Sequence, residues 1–189
     1  KPKIFVICTG DEILSKQNKK GVVESTNDIF IKYLVELFGG EICKIEFSND
    51  DGNELIYKFK SLKNFDLLIT SGGISKGKYD IVKKALEKMG LKIIFDRVAI
   101  KPGKPTTFGK FNNNKYFLGL PGNPVSCFMS MINFFPIFIN SFYGTKHSRF
   151  TSKEFVSKKF IEKNKNLTLF NRVTVDEKFF KVFDNQDSS

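Results

Sequence analysis

With 189 residues, 41% of them hydrophobic and 27% charged, the chain can bury a sizeable core, which excludes a disordered tail or a fibrous protein. Lys and Arg number 31 against 20 Asp and Glu, and the net charge of +11 favours anionic partners: phosphates, oxyanions, nucleic acid or acidic lipid. A single histidine, His147, excludes a multi-histidine metal site and leaves any Ser-His-Asp triad one imidazole to draw on.

The first apolar run, Ile4 to Cys8, reads as a strand that ends in the loop Thr9-Gly10-Asp11-Glu12. Ser25-Thr26-Asn27-Asp28 offers caps for a helix to about Phe38, closed by Gly39-Gly40. Residues 41–47 alternate as a strand, and Asn49-Asp50-Asp51-Gly52 turns into a helix to about Lys63. Asp66 to Thr70 is a buried type of strand running into Ser71-Gly72-Gly73. From Tyr79 onward Val82, Ala85, Leu86 and Met89 fall at helical spacing, and Gly90 stops that helix. Short strands are expected at 98–100, 106–109 and 116–120. Pro121-Gly122-Asn123-Pro124 then opens a long helix to about Phe142, with a bend expected at Pro136.

Strands alternating with helices predict an α/β fold, a doubly wound and mostly parallel sheet that binds ligands at the carboxyl ends of its strands. After Gly144 the texture changes. Strand-like runs at 155–156, 167–175 and 179–183 have no helix to pair with. The reading is therefore an α/β domain over 1–146 and the start of a β-rich module over 147–189 that the sequence leaves incomplete. Opening on Lys1 and not on methionine fits a fragment or a processed chain.

Cys8, Cys43 and Cys127 stand singly among apolar neighbours without CxxC spacing, and are expected as small core residues in a reducing compartment, not as zinc ligands. The apolar stretch 127–143 is interrupted by Asn133, Pro136 and Asn140, which predicts a buried helix and no membrane association. The first apolar run is too short for a signal peptide, so the chain is expected in the cytoplasm. The basic excess is spread along the chain without a basic tract, and a nucleic-acid partner is not expected.

Ser71-Gly-Gly-Ile-Ser-Lys-Gly-Lys78 lies between a strand and a helix. Gly72, Gly77 and Lys78 follow most of a Walker A pattern, yet Tyr79 stands where Mg²⁺ coordination needs Ser or Thr. A different anion cradle, made by backbone N–H groups and a helix start, needs no hydroxyl there; a turn without a ligand is the plain alternative. Asp11 with Glu12, Asp50 with Asp51, and Asp80 are placed in loops or at strand ends. Singly each reads as a turn or capping residue, but together they form an edge that meets a phosphate only if Mg²⁺ lies between. Lys101-Pro-Gly-Lys-Pro105 presents two ammonium groups on a proline-stiffened loop, suited to an oxyanion or pyrophosphate or, more plainly, a solvated turn. Leu120 to Ser126 places free N–H groups at a helix start, which is either a second anion-competent end or a helix opened by proline.

Taken in order, TGDE (9–12), GxxxxTN (21–27), NDD (49–51), TSGGIS (70–75), GKYD (77–80), VAIKPGKP (98–105) and LPGNPVS (120–126) resemble the MoeA-type molybdopterin molybdenumtransferases, relatives of the gephyrin E domain. The likeness covers about residues 3–145, and its last two motifs separate it from the MogA/MoaB adenylyltransferases, which share the wider molybdopterin-binding fold. It implies insertion of molybdate into adenylylated molybdopterin with Mg²⁺-dependent release of AMP. Carried over by motif, it implies Glu12, Asp50 and Asp80 as essential acids holding the metal, and Lys101 and Lys104 on molybdate or phosphate oxygens. It also implies Ser71, Gly72 and Gly73, with Thr9, Gly10 and Ser75, around the phosphate side of the pterin. Pro121, Gly122, Asn123 and Ser126 would line the pocket. The family further implies a homodimer in the full-length protein and a MogA-like enzyme as partner. The chain departs from the pattern at Ser25, where an aspartate is usual, and at Arg97, where a lysine is common. A MogA-like adenylyltransferase and a gephyrin-like scaffold are the alternatives.

Overall fold

The computed structural model describes residues 1–9, 26–49, 51–72, 79–146, 152–157, 160–161, 165–176, 178–183 and 186, with only the backbone for 79–81 and 113. In chain order the elements are β1 (Lys3–Thr9), α1 (Asn27–Leu37), β2 (Glu41–Ser48), α2 (Gly52–Ser61), β3 (Leu67–Ser71), α3 (Tyr79–Glu87), β4 (Lys92–Asp96), β5 (Ile100–Lys101), β6 (Thr107–Lys110), β7 (Tyr116–Leu120), α4 (Pro124–Tyr143), β8 (Val156–Ser157), β9 (Thr168–Leu169), β10 (Val173–Asp176) and β11 (Phe179–Val182).

The main sheet runs β2-β1-β3-β7-β6-β4, parallel from β2 to β7, with β6 and β4 added antiparallel. Side chains alternate between two faces along each strand, and both faces of the central strands are apolar because helices cover both. Ile4, Val6 and Cys8 of β1 join Ile69, Leu118 and Leu120 in the core under α1 and α4. Phe5 and Ile7 point the other way, with Leu68 and Phe117, to meet Leu55 and Phe59 of α2 and Val82, Ala85 and Leu86 of α3. Helix α4 is long and apolar enough to cross a membrane by length and composition. Its Cys127, Met131, Phe135, Phe138 and Ile139 are buried in the first of these cores. Pro136 lies inside the helix, as the sequence places it, and has no N–H to give the Ile132 carbonyl.

Several expectations need correction. The sheet carries an antiparallel extension, because β4, which the sequence reading passed over, pairs with β6 as an edge strand. The run at 98–100 is not a sheet strand: Val98 N–H turns back to the Lys104 carbonyl, and only Ile100–Lys101 extends, outside the main sheet, to pair with β9. Cys43 is exposed and not a core residue. The ladder pairs Ile4 with Ile42 and Phe5 with Lys44, so Cys43 is the extra residue of a bulge on the outer strand. Thr26 caps α1 without a side-chain bond, and Asn27 spends its side chain elsewhere, as described below.

The C-terminal residues form a three-stranded sheet, β10-β11-β8, while β9 pairs with β5 across residue 146.

Beyond its ladder with β6, edge strand β4 is tied to α3 and β6 by the carboxylate of Asp96. Asp96 accepts from Lys83 of α3 at 2.8 Å and from the Thr107 hydroxyl of β6 at 2.7 Å. Burial works to raise this carboxyl, but the bonds from Lys83 and Thr107, helped by the charges of Lys83 and Arg97, outweigh it and hold Asp96 below the usual range. A carboxylate lowered on folding contributes stability that is present above its unfolded pKa, about 3.9, and is lost as pH falls through the folded value. The melting temperature gap between wild type and Asp96→Asn is therefore expected to be widest near pH 7 and to close below about pH 4. A gap that stays constant from pH 7 to pH 3 would remove the ion pair from the account.

Candidate functional site

Strands β1, β3 and β7 end side by side, with Cys8 beside Ser71 and Ser71 beside Leu120. The backbone then packs closer than side chains allow. Gly72 has φ +94°, and a Cβ there would stand 1.9 Å from the Thr9 carbonyl oxygen; a Cβ on Gly122 would stand 3.1 Å from the Gly72 Cα. Thus Thr9, Gly72 and Gly122, taken from three separate motifs, form one contact at the carboxyl edge. Asn27, buried at the start of α1, fastens it. Its Nδ2 donates to Ser71 Oγ at 2.7 Å and to the Gly122 carbonyl at 2.8 Å.

This edge holds polar atoms that are buried and unpaired. Among the described residues, Thr9 Oγ1, Asn27 Oδ1, Asp28 Oδ1 and, beside Thr9 at the end of β2, Ser48 Oγ are buried without a hydrogen-bond partner. Such atoms are rare in native proteins, and each would be satisfied by an ordered water or by a polar group of a ligand. The neighbouring thiols are not nucleophiles. Burial first, then the charges of Asp28 and Cys127, push Cys8 far above its ordinary value. Burial pushes Cys127 up to about 12 against a lowering bond from Ser71, whose Oγ lies 3.4 Å away.

A second cluster surrounds the lysine loop. Arg97 adopts φ +66°, its N–H bonds the Thr106 carbonyl at 3.0 Å, and Val98 N–H bonds the Lys104 carbonyl at 2.9 Å, so the loop closes on itself. The Lys101–Pro102 peptide is cis. Lys101 and Lys104 are exposed and line a cavity of about 340 Å³ with Ser126 of α4 and with Leu169 and Asn171 from the C-terminal segment. That segment is stitched on by its main chain: Thr168 N–H donates to the Ala99 carbonyl at 2.8 Å and Phe170 N–H to the Lys101 carbonyl at 2.9 Å. Gln186, which also lines the cavity, steadies it by accepting from Arg172 N–H at 2.9 Å and donating to the Arg172 carbonyl at 3.0 Å. Gly122 and Ser126 flank the first turn of α4, so the two clusters meet there. A separate apolar cavity of about 570 Å³, lined by Phe95, Phe108, Tyr116 and Phe138, lies toward the amino ends of β3 and β7.

The first turn of α4 is less open to anions than its sequence promises. Asn123 caps it, accepting from Ser126 N–H at 3.1 Å on its side chain and from Cys127 N–H on its carbonyl, and Pro124 brings no donor. Asp51 is likewise a cap, accepting from Asn53 N–H at 2.8 Å at the start of α2. Of the expected site residues, Thr9, Ser71, Gly72, buried Pro121 and Gly122 lie at the strand ends, and Lys101, Lys104 and Ser126 at the lysine loop. Gly10, Glu12, Asp50, Gly73 and Ser75 lie outside the described residues, and Asp80 is described only as backbone in the first turn of α3. Among the described residues, no group of three or more His, Cys, Asp or Glu side chains could hold a metal ion. In the sequence Asn27 reads as a helix cap and as the end of the GxxxxTN motif, and Thr106 as the start of a strand; neither these readings nor any motif points to the buried side-chain bonds of Asn27, Thr106 and Ser130. A signal for the last existed: Ser126 and Ser130 are four apart in an apolar helix and so share one face.

A family model described as "Probable molybdopterin binding domain" matches residues 5–140, the stretch that holds nearly all of the main sheet, the strand-end cluster and the lysine loop, but not the C-terminal wall of the second cavity. The chain is 38% identical over 147 residues to the molybdopterin molybdenumtransferase of Haemophilus influenzae, covering 76% of this chain and 36% of that protein. It is 38% identical over 135 residues to the molybdenum cofactor synthesis protein cinnamon of Drosophila melanogaster, covering 69% of this chain and 22% of the relative. The chain thus spans about a third or less of the length of these curated relatives. In fold it is similar over its whole length to a crystal structure of a molybdopterin biosynthesis moeA protein from Pyrococcus horikoshii, with a TM-score of 0.75 at 24% identity, covering 45% of that chain. A match running from β1 into α4, with 38% identity to a molybdopterin molybdenumtransferase, leads to one conclusion: this chain belongs to the molybdopterin-binding domain family, in its MoeA-type branch.

Proposed function

We propose that the protein carrying this chain acts in molybdenum cofactor biosynthesis as a molybdopterin molybdenumtransferase, inserting molybdate into adenylylated molybdopterin with release of AMP. The observation that carries the reading is the pairing of two clusters on one helix start. One is a strand-end cradle with unpaired buried polar atoms, and the other is a cavity with two exposed ammonium groups. In this reading Thr9, Ser71, Gly72 and Gly122 border the phosphate side of the pterin, with Asn27 holding their geometry, and Lys101, Lys104 and Ser126 receive molybdate. One molybdate oxygen leaves as water with the two dithiol protons, and a water cleaves the phosphoanhydride to free AMP. Positioned charge does this work with no protein nucleophile, in keeping with the buried, protonated thiols.

Mg²⁺ belongs to the same reading. The acids that would hold it are Glu12, Asp50 and Asp80, and it would supply neutralisation of the phosphoanhydride charge. Asp28 suits such an edge, because its buried and unpaired carboxylate oxygen would be satisfied by a cation or a donor. We further propose that the full-length protein is a cytoplasmic homodimer served by a MogA-like adenylyltransferase.

The test is AMP release from adenylylated molybdopterin with Mg²⁺, with and without molybdate, using the Haemophilus relative as reference. Molybdate-stimulated release supports the transferase. Ligand binding without release, in conditions where the reference turns over, would reduce the chain to a binding module; ATP consumption without molybdate would make it an adenylyltransferase. Because Lys101 and Lys104 are exposed, molybdate affinity is expected to fall several-fold between about 50 and 300 mM salt, as the screening length shortens. Salt-independent binding in a calorimetric titration would place the oxyanion in a buried, hydrogen-bonded site instead.

A further inference from the structure

The lysine loop reaches into solvent at both of its charges, yet its middle is anchored in the core. Thr106 and Ser130 are both fully buried, and their hydroxyl oxygens lie 2.6 Å apart although the residues are 24 positions apart in sequence. The Thr106 hydroxyl donates to the Gly103 carbonyl at 2.6 Å, and the Ser130 hydroxyl reaches the Ser126 carbonyl at 2.8 Å. Each hydroxyl has one proton. With the Thr106 proton on Gly103, the Ser130 proton is shared between Thr106 Oγ1 and the Ser126 carbonyl, and a continuous line joins the lysine loop to the pocket wall. Gly103 lets the loop sit directly on this line. It has φ +109°, and a Cβ there would meet Ser130 Oγ and Ile100 Cδ1, each at 2.9 Å.

A serine bonding back to the carbonyl four residues earlier is common in helices, and a threonine closing a turn onto the third residue before it is ordinary. Neither habit accounts for the short contact between the two. That contact links the centre of the Lys101–Lys104 span to α4, and β9 holds the Lys101 end.

We propose that the Thr106–Ser130 hydroxyl pair is the positioning device of the lysine loop, fixing Gly103 against α4 so that Lys101 and Lys104 face a single tetrahedral oxyanion. This rests on the lysine loop being the molybdate site. The pair touches no ligand itself and acts through the loop.

Thr106→Val keeps the shape and removes the hydroxyl, Thr106→Ser keeps the hydroxyl, and Ser130→Ala removes its partner. Sodium molybdate titrated calorimetrically into the chain is expected to bind about tenfold more weakly to Thr106→Val and Ser130→Ala at unchanged stoichiometry, while Thr106→Ser stays within about twofold of wild type. Partial unfolding would lower the stoichiometry and leave the affinity alone. In protein without molybdate, the Val98 and Thr106 amides, which bond the Lys104 and Gly103 carbonyls, are expected to exchange faster in Thr106→Val and not in Thr106→Ser. Wild-type affinity and wild-type exchange in both hydroxyl-less variants would overturn the proposal. Loosened amides in a chain that binds no molybdate would instead overturn the oxyanion reading, leaving a loop clamp without that ligand.

Discussion

Gly72→Ala is expected to destabilise the chain by on the order of 3–5 kcal/mol, lowering its melting temperature by roughly 10 °C. Two costs combine. At φ +94° an L side chain is strained, and its Cβ would fall 1.9 Å from the Thr9 carbonyl oxygen, a backbone atom of the central strand β1 that cannot swing aside. Relief requires β1 and β3 to part at their carboxyl ends, where Gly122 and Asn27 also make contact. Gly144→Ala is the control. It sits at φ +65° after α4 with nothing within 4 Å of its would-be Cβ, so it carries the backbone strain, about 1–2 kcal/mol, without the collision. Thermal melts of the two variants separate the terms. If they melt together, the Thr9 carbonyl has room to move and the strand ends are not the rigid cradle described.

Replacing both Lys101 and Lys104 by alanine is expected to weaken molybdate binding about a hundredfold, and each alone about tenfold, with no matching loss in melting temperature. Both head groups are exposed, and the bonds that shape the loop run through its main chain and through Thr106. The substitutions therefore remove charge and leave geometry. If the reading is right, the loss appears in molybdate titration and in molybdate-stimulated AMP release together. Lys104→Arg keeps the charge on a longer planar fork and is expected to fall between wild type and alanine. Double-variant binding equal to wild type would move the oxyanion to the strand-end cradle.

The parts of the fold that could be read in advance are those where local pattern and tertiary role agree. The buried runs that became β1, β3 and β7 and the helical spacing of Val82, Ala85 and Leu86 each carry their own signal. β4 was missed because Lys-Ile-Ile-Phe-Asp is a short, half-exposed edge strand, defined by its pairing with β6 more than by its own apolar content. The apolar run at Val98–Ile100 misled for the converse reason: it looks like a strand, but its partner arrives from residues near 168. Within the candidate site, glycine and lysine motifs were legible because their chemistry is specific. The roles of Asn27, Thr106 and Ser130 were not, since a buried hydroxyl or carboxamide takes its meaning from a partner 24 to 95 positions away.

The pairing of β5 with β9 also sets an order of assembly. Ile100 and Thr168 are neighbours in the finished molecule, but a ribosome adding roughly 5–20 residues each second makes the first several seconds before the second. During that interval the sheet from β1 to β7 and the helices on it can close, whereas the lysine loop still lacks the strand that holds its entry. The scaffold is then complete before the cavity beside Lys101 and Lys104, so a nascent chain acquires its fold first and the C-terminal wall of that cavity last.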